Sequence, residues 1–343
     1  MEGFISGNDG EIKGLKDLKA SLGDVDDFLN NNNAPSSSHD DDSKSPETTP
    51  PSAPLPPAAA TTTTTTTSSA SASSSDLSYF KAPTFIPDLI SPAVSFRSLC
   101  RSSTHTGPTN GKCPGFLQCN LVVLRKEDAF DFLLFCQRNS KSCPIVDVCE
   151  NGSFNPTGIT KSSDLRTDLP AYNVYSNGKL VQGNLSDVRS LWPTDGVAFL
   201  LGCSFTFDHV LIANRISARH IEMKRNVSMY RTNLKCREAG RFKGNVVVTM
   251  RPVKGGDVAK VVTLSCKYPE AHGAPIHIGS PEDLGITDLS KPDWGDPVEV
   301  REGEVPVFHA CGVTSQEVIM SSGVSFAITH SPGCMFVSDK IID

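Results

Sequence analysis

Between Asn30 and Ser75 the chain is built almost wholly from Asn, Ser, Asp, Thr, Pro and Ala, with an unbroken threonine run from Thr61 to Thr67. Such side chains cannot bury enough apolar surface to offset chain entropy, so the segment is expected to be disordered and any folded unit must lie outside it. Before it, Ile12, Leu15, Leu18, Leu22, Val25 and Phe28 have the spacing of one short amphipathic helix. After it, YFKAPTFIPDLISP is broken by Pro83, Pro87 and Pro92 and is expected to lie along a folded domain rather than within it. Residues 1–92 therefore read as a tail, and 93–343 as the domain.

That domain opens with AVSFRSLCRSS at helical spacing. A strand, FLQCNLVVL, and a helix, KEDAFDFLLFCQRN, follow, with Ala129, Phe132, Leu133 and Cys136 on one helical face. The short apolar CPIVDV completes what reads as a β-α-β crossover of a parallel sheet. Asn177-Gly178 inside YNVYSNGKLV is a two-residue hairpin signal. GVAFLLGCS reads as a buried strand running into the helix FTFDHVLIANR; ARHIEM, MYRTNL and NVVVTMRPV read as strands, and DVAKVVTLSCKYP as a helix. The fold class expected is α/β and two-lobed, a mixed sheet with helices on its faces beside a smaller two-layer lobe. The larger lobe is assigned to 115–195 and 270–343, the smaller to 196–269.

With 32 Lys+Arg against 38 Asp+Glu, the net charge of -6 is spread along the chain and leaves no footprint for nucleic acid. No apolar run approaches the roughly 20 residues of a membrane span, so no membrane partner is expected. MEGFISGNDGEIKG has neither a signal-peptide core nor an arginine-rich, acid-poor face, which gives a cytoplasmic expectation. Eleven cysteines in such a chain argue for thiols rather than a disulfide framework. A homo-oligomer stays open.

The residues with chemistry fall into three groups. Asn226 to Pro252 carries Arg231 and Arg251, with Asn226, Tyr230, Thr232 and Asn233 as further donors, a set able to grip a carboxylate because a guanidinium binds both of its oxygens. The same arginines could equally be surface residues capping a hairpin. The turn Gly202-Cys203-Ser204 between a strand and a helix presents backbone N–H groups to an anion. Cys203 or Ser204 is a candidate nucleophile there, although the turn lacks the G-x-S-x-G frame and a Ser N-cap is the plainer explanation. His272, His277, His309 and His330 each stand beside a glycine, proline or polar turn and could move protons, His272 and His277 foremost because the turn HGAPIH holds them together. Asp147, at a strand end, is a ligand candidate or a loop cap. Arg166 is a binding candidate or a loop partner of Asp164 and Asp168. No spacing favours a metal site, and no nicotinamide, flavin or pyridoxal phosphate signature is present.

The succession PGFLQCNLVVLRKEDAFDFLLFCQRN, CPIVDV, DLRTDLPAYNVY, DGVAFLLGCSFTF, RHIEMKRNVSMYRTN, GNVVVTMRP, HGAPIHIG, GEVPVFHACGVT and ITHSPGCMFVSD resembles the family of hydro-lyases related to D-glutamate cyclase, over roughly Ala93 to Asp339. The resemblance implies a two-lobed α/β enzyme for a small amino or carboxylic acid, with D-glutamate closing to 5-oxo-D-proline by loss of water; the missing cofactor signatures give the expectation of catalysis without an organic cofactor. It assigns no catalytic residue. Closing glutamate requires a base for the α-ammonium, an acid for the departing oxygen and fixed donors for negative oxygens. Arg231 and Arg251 suit the carboxylates, the 202–204 turn the oxyanion, and the histidines the protons. A hydro-lyase for another small acid, or a non-catalytic binding protein for 5-oxoproline or glutamate, are the alternatives.

Overall fold

The computed structural model of the chain describes residues 91–342. The short helix and the disordered segment expected before Ala93 lie outside them. Helix α1 (Pro92–Arg101) starts on a proline, whose fixed φ suits the first helical position, and buries Ala93, Phe96, Arg97 and Cys100 at helical spacing. Strand β1 (Phe116–Arg125) is buried along all but its ends and leads into α2 (Lys126–Arg138). Ala129, Phe132 and Cys136 of α2 face inward as expected, while Leu133 turns to solvent and Phe135 takes its place in the core.

Next come β2 (Ile145–Cys149), β3 (Tyr172–Ser176), β4 (Lys179–Leu185) and β5 (Gly196–Gly202). Helices α3 (Phe205–Ala213) and α4 (Arg219–Glu222) precede β6 (Ser228–Lys235), β7 (Asn245–Lys254) and α5 (Val258–Ser265). The chain closes with β8 (His277–Ile278), β9 (Glu304–Ala310), α6 (Thr314–Ser321), β10 (Phe326–His330) and β11 (Phe336–Ile341). The hairpin β3–β4 turns through Asn177 and Gly178, both in the left-handed region (φ 48° and 71°), as its turn type demands.

A seven-stranded sheet runs β2-β5-β1-β10-β3-β4, with β11 also on β1, and a four-stranded sheet runs β6-β7-β9-β8. Every paired register is antiparallel. This corrects the parallel crossover. β1 and β2 do point the same way, but β5 is inserted between them and pairs antiparallel with both, and its wholly apolar sequence is buried throughout. Three strands also sit apart from the sequence-drawn lobe limits: β5 belongs to the seven-stranded sheet, and β8 and β9 to the sheet of β6 and β7. ARHIEM forms one helical turn rather than a strand, which lets the adjacent Arg219 and His220 both be buried; in a strand they would face opposite sides.

The core under α2 is aromatic, with Phe132 edge-on to Phe199 of β5 at 4.9 Å and to Phe242 at 5.2 Å. All eleven cysteines are unpaired. Among the described residues no helix is long and apolar enough to cross a membrane.

Candidate active site

The site begins where β5 ends. The backbone oxygen of Glu270 lies 1.6 Å from the place a Cβ on residue 202 would occupy, so only glycine lets the Pro269–Ala271 turn close over the strand end. Two residues on, Ser204 enters α3 without capping it. Its Oγ instead accepts a hydrogen bond from Arg251 Nη2 at 3.1 Å. One helical turn further along, on the same face, Asp208 accepts from Arg251 Nη2 at 2.8 Å and Nε at 3.1 Å through Oδ1, and from His220 Nε2 at 3.1 Å through Oδ2.

Strand register supplies the rest. Thr249 and Arg251 share a face of β7, and the Thr249 hydroxyl accepts from Arg251 Nη1 at 3.2 Å. His309 of β9 lies directly opposite Thr249, so its imidazole stands on that same face. It is fully buried, its ring centroid is 5.4 Å from that of Phe207, and neither Nδ1 nor Nε2 has a hydrogen-bond partner. Buried polar atoms are nearly always satisfied, so two idle nitrogens on one ring mark a place where a ligand or water completes the set.

Electrostatics follow from burial. Desolvation first, then the Arg251 charge, hold the His309 imidazole well below its ordinary pKa, so it is neutral near pH 7. His272, in the strained left-handed region at φ 77°, is also buried, and burial pulls its pKa down to about 4. Its Nδ1 lies 2.9 Å from the Lys141 carbonyl, which can only accept; the proton is therefore on Nδ1 and Nε2 carries the lone pair. Burial alone would raise the Asp208 carboxyl, but Arg251 and His220 outweigh it and keep it ionised. The result is one fixed ion pair, two hydroxyls and two neutral imidazoles: a proton carrier beside a preorganised dipole array.

Residues 197–339 match the family model described as D-glutamate cyclase. A protein of Geobacillus kaustophilus is 53% identical over 243 residues, covering 71% of this chain and 92% of its own length. One of Bacillus licheniformis is 54% identical over 243 residues, with coverages of 71% and 92%. One of Stutzerimonas stutzeri is 50% identical over 250 residues, with coverages of 73% and 94%. All three bear the name "Putative hydro-lyase". The chain belongs to the hydro-lyase family related to D-glutamate cyclase. A solved nitrogen repressor-like protein of Methanococcus jannaschii aligns over 73% of this chain and 100% of its own at 10% identity, with a TM-score of 0.30.

Within this hydro-lyase the structure gathers Cys203, Ser204, Arg251, His272 and His309 from the sequence-based candidates, and disperses the others. Burial pushes the Cys203 thiol far up, which favours the thiol over the thiolate that a nucleophile needs. Arg251 clamps a carboxylate, but an internal one. Arg231 is likewise engaged, by Glu317 at 2.7 Å and Asp293 at 3.1 Å, and stacks over Trp294, so its fork is not offered to a ligand. Tyr230 donates to the Leu289 carbonyl, Asn233 to that of Asp283 and Asn226 to that of Pro332, bracing loops around β6, and Thr232 donates to the Val246 carbonyl of β7.

His277 lies 2.8 Å from the Ser280 carbonyl, on its own loop. His330 is buried between the Leu121 backbone and Gln316, away from the cluster, and burial lowers its pKa to about 4. Asp147 accepts from the Val148 and Gly158 amides, the loop-cap reading, and Arg166 pairs with Asp164 at 2.8 Å. Sequence reasoning missed Asp208, His220 and Thr249. The trace in the sequence was the polar pair Asp208-His209 within a largely apolar helix.

Proposed function

We propose that the chain is a lyase that closes D-glutamate to 5-oxo-D-proline with loss of water, at the cluster of Ser204, Asp208, Thr249, Arg251, His272 and His309. The observation that carries this reading is His309: a buried, neutral imidazole with both nitrogens idle, held beside a guanidinium and a hydroxyl. The family match to D-glutamate cyclase supports the substrate.

The chemistry balances within the substrate. The α-ammonium gives a proton to His309 and its nitrogen attacks the γ-carboxyl carbon. The negative charge that gathers on oxygen is met by the Ser204 hydroxyl, whose proton is free to donate because its oxygen accepts from Arg251. His309 returns the proton to one carboxyl oxygen, a second proton follows from the attacking nitrogen, and the C–O bond breaks to release water. A dry site lowers the cost of the first transfer twice: desolvation weakens the ammonium's hold on its proton, and an incoming carboxylate raises the basicity of the imidazole. Arg251 and Asp208 keep the array rigid, so little reorganisation is needed as charge moves.

The test is a panel of D- and L-glutamate with other small amino and hydroxy acids, each followed for water loss by mass spectrometry of the products. Formation of 5-oxo-D-proline from D-glutamate is the expected result. Dehydration of a different acid alone would retain the lyase class and refute the cyclase. Tight binding of 5-oxoproline with no turnover of any acid would refute both.

A further inference from the structure

Lys141 sits in the turn that follows α2, where the Asn139 carbonyl accepts from the amides of Ser142 and Cys143. Its own carbonyl holds His272 Nδ1 at 2.9 Å. Its side chain turns the same way: Nζ lies 3.9 Å from where a Cβ on Gly273 would be, a space that glycine leaves open beside the strained His272. The residue is half-buried and, among the described residues, its ammonium has no hydrogen-bond or ion-pair partner.

The groups whose charges register between it and the cluster are the Cys266 thiol and the imidazoles of His272 and His309. No carboxylate is among them. Inside the cluster, Arg251 and Asp208 neutralise one another. The positive charge of Lys141 is therefore uncompensated at the edge of a buried site, and burial already weighs against it, drawing its pKa below the ordinary lysine value.

We infer that Lys141 is the anion anchor of this site, its ammonium taking the carboxylate that passes through the reaction unchanged while the reacting carboxyl lies deeper, at His309. The assignment of that carboxylate rests on the function proposed above. It accounts for two features together: a half-buried cation left without an acid, and a site whose arginine is already spent on an internal carboxylate. A lysine offers a single point of charge rather than a fork, which suits a carboxylate held at the mouth by charge and oriented by its other end.

Lys141→Met removes the charge and leaves the backbone bond to His272 in place; because the ammonium has no partner and burial disfavours its charge, the melting temperature should not fall below the wild-type value. Calorimetric titration with 5-oxo-D-proline should show a ten- to hundred-fold loss of affinity in Lys141→Met, the worth of one charge-assisted hydrogen bond. The uncharged carboxamide of the same lactam should bind both proteins alike, and Lys141→Arg should recover part of the lost affinity. In turnover the change should appear as a raised KM, with kcat within about three-fold. Glutarate, a dicarboxylate that cannot cyclise, separates this inference from the reaction itself. If no glutamate is turned over but glutarate binding still depends on Lys141, the anchor stands and the cyclase does not. Equal affinity of Lys141→Met and wild type for 5-oxo-D-proline and glutarate, or a wild type that binds neither, would overturn the anchor.

Discussion

Replacing Arg251 by methionine tests whether this arginine belongs to the protein's own architecture. It is 1% exposed, and its partner Asp208 is equally buried. Methionine fills much of the same volume but removes three charge-assisted contacts to Ser204 and Asp208 and a fourth bond to Thr249. Breaking a buried pair from one side costs about 3–5 kcal/mol, because the surviving charge stays desolvated. For a folded unit of about 250 residues, at roughly 2–4 °C per kcal/mol, the melting temperature should fall by about 6–20 °C. Asp208→Asn keeps the contact with His220 without the charge, so Arg251→Met combined with Asp208→Asn should be more stable than Arg251→Met alone by at least about 1 kcal/mol. Urea titrations followed by circular dichroism on the four proteins give the cycle. A single variant within about 1 kcal/mol of wild type, or a double variant showing simple additive loss, would refute the buried-pair account.

Two further outcomes follow from packing and burial. Gly202→Ala sets a Cβ against the Glu270 backbone oxygen at 1.6 Å, so the Pro269–Ala271 turn must move and carry His272 with it. A loss of about 1–3 kcal/mol is expected, and an unchanged melting temperature would contradict the close approach. His272, His309 and His330 all have folded pKa values below the ordinary 6.5. Below that pH the unfolded chain binds protons that the folded one refuses, so their contribution is fully present above pH 6.5 and is lost as the pH falls toward about 4. At pH 5.5 His272 and His330 cost about 1.4 kcal/mol each, roughly 3 kcal/mol together, with His309 adding in the same direction, and denaturation at pH 7.5 and 5.5 that gave equal stabilities would sink the burial of these rings.

Local structure was legible where one residue type leaves little choice. Asn177-Gly178 dictated its hairpin, and the apolar spacing of Ala129, Phe132 and Cys136 dictated a helix. Strand direction was not, because β1 and β2 look like a crossover pair until β5, some fifty residues later in the chain, is seen to pair between them. The same holds for the site. Ser204, Arg251 and His309 drew notice as residue types, yet nothing local joins them; the Thr249–His309 register and the Arg251–Asp208 pair exist only once β7, β9 and α3 are assembled. Arg231 and His277 looked equally competent in sequence, and what removes them is a set of acids and carbonyls distant along the chain, Glu317 and Asp293 for Arg231, or folded back from its own loop, Ser280 for His277. Lys141 went unremarked because its distinction is the lack of a partner, which a sequence does not display.

The location of the site is tested most directly by steady-state formation of 5-oxo-D-proline from D-glutamate, measured side by side for wild type, His309→Gln, His277→Gln and Arg231→Lys. A proton-transfer group contributes roughly 10²–10⁴-fold to rate, so His309→Gln should lose that much kcat with KM within a few-fold. His277→Gln and Arg231→Lys should stay close to wild type. Full activity in His309→Gln, or collapse of kcat in the other two instead, would contradict the placement of catalysis at the buried cluster.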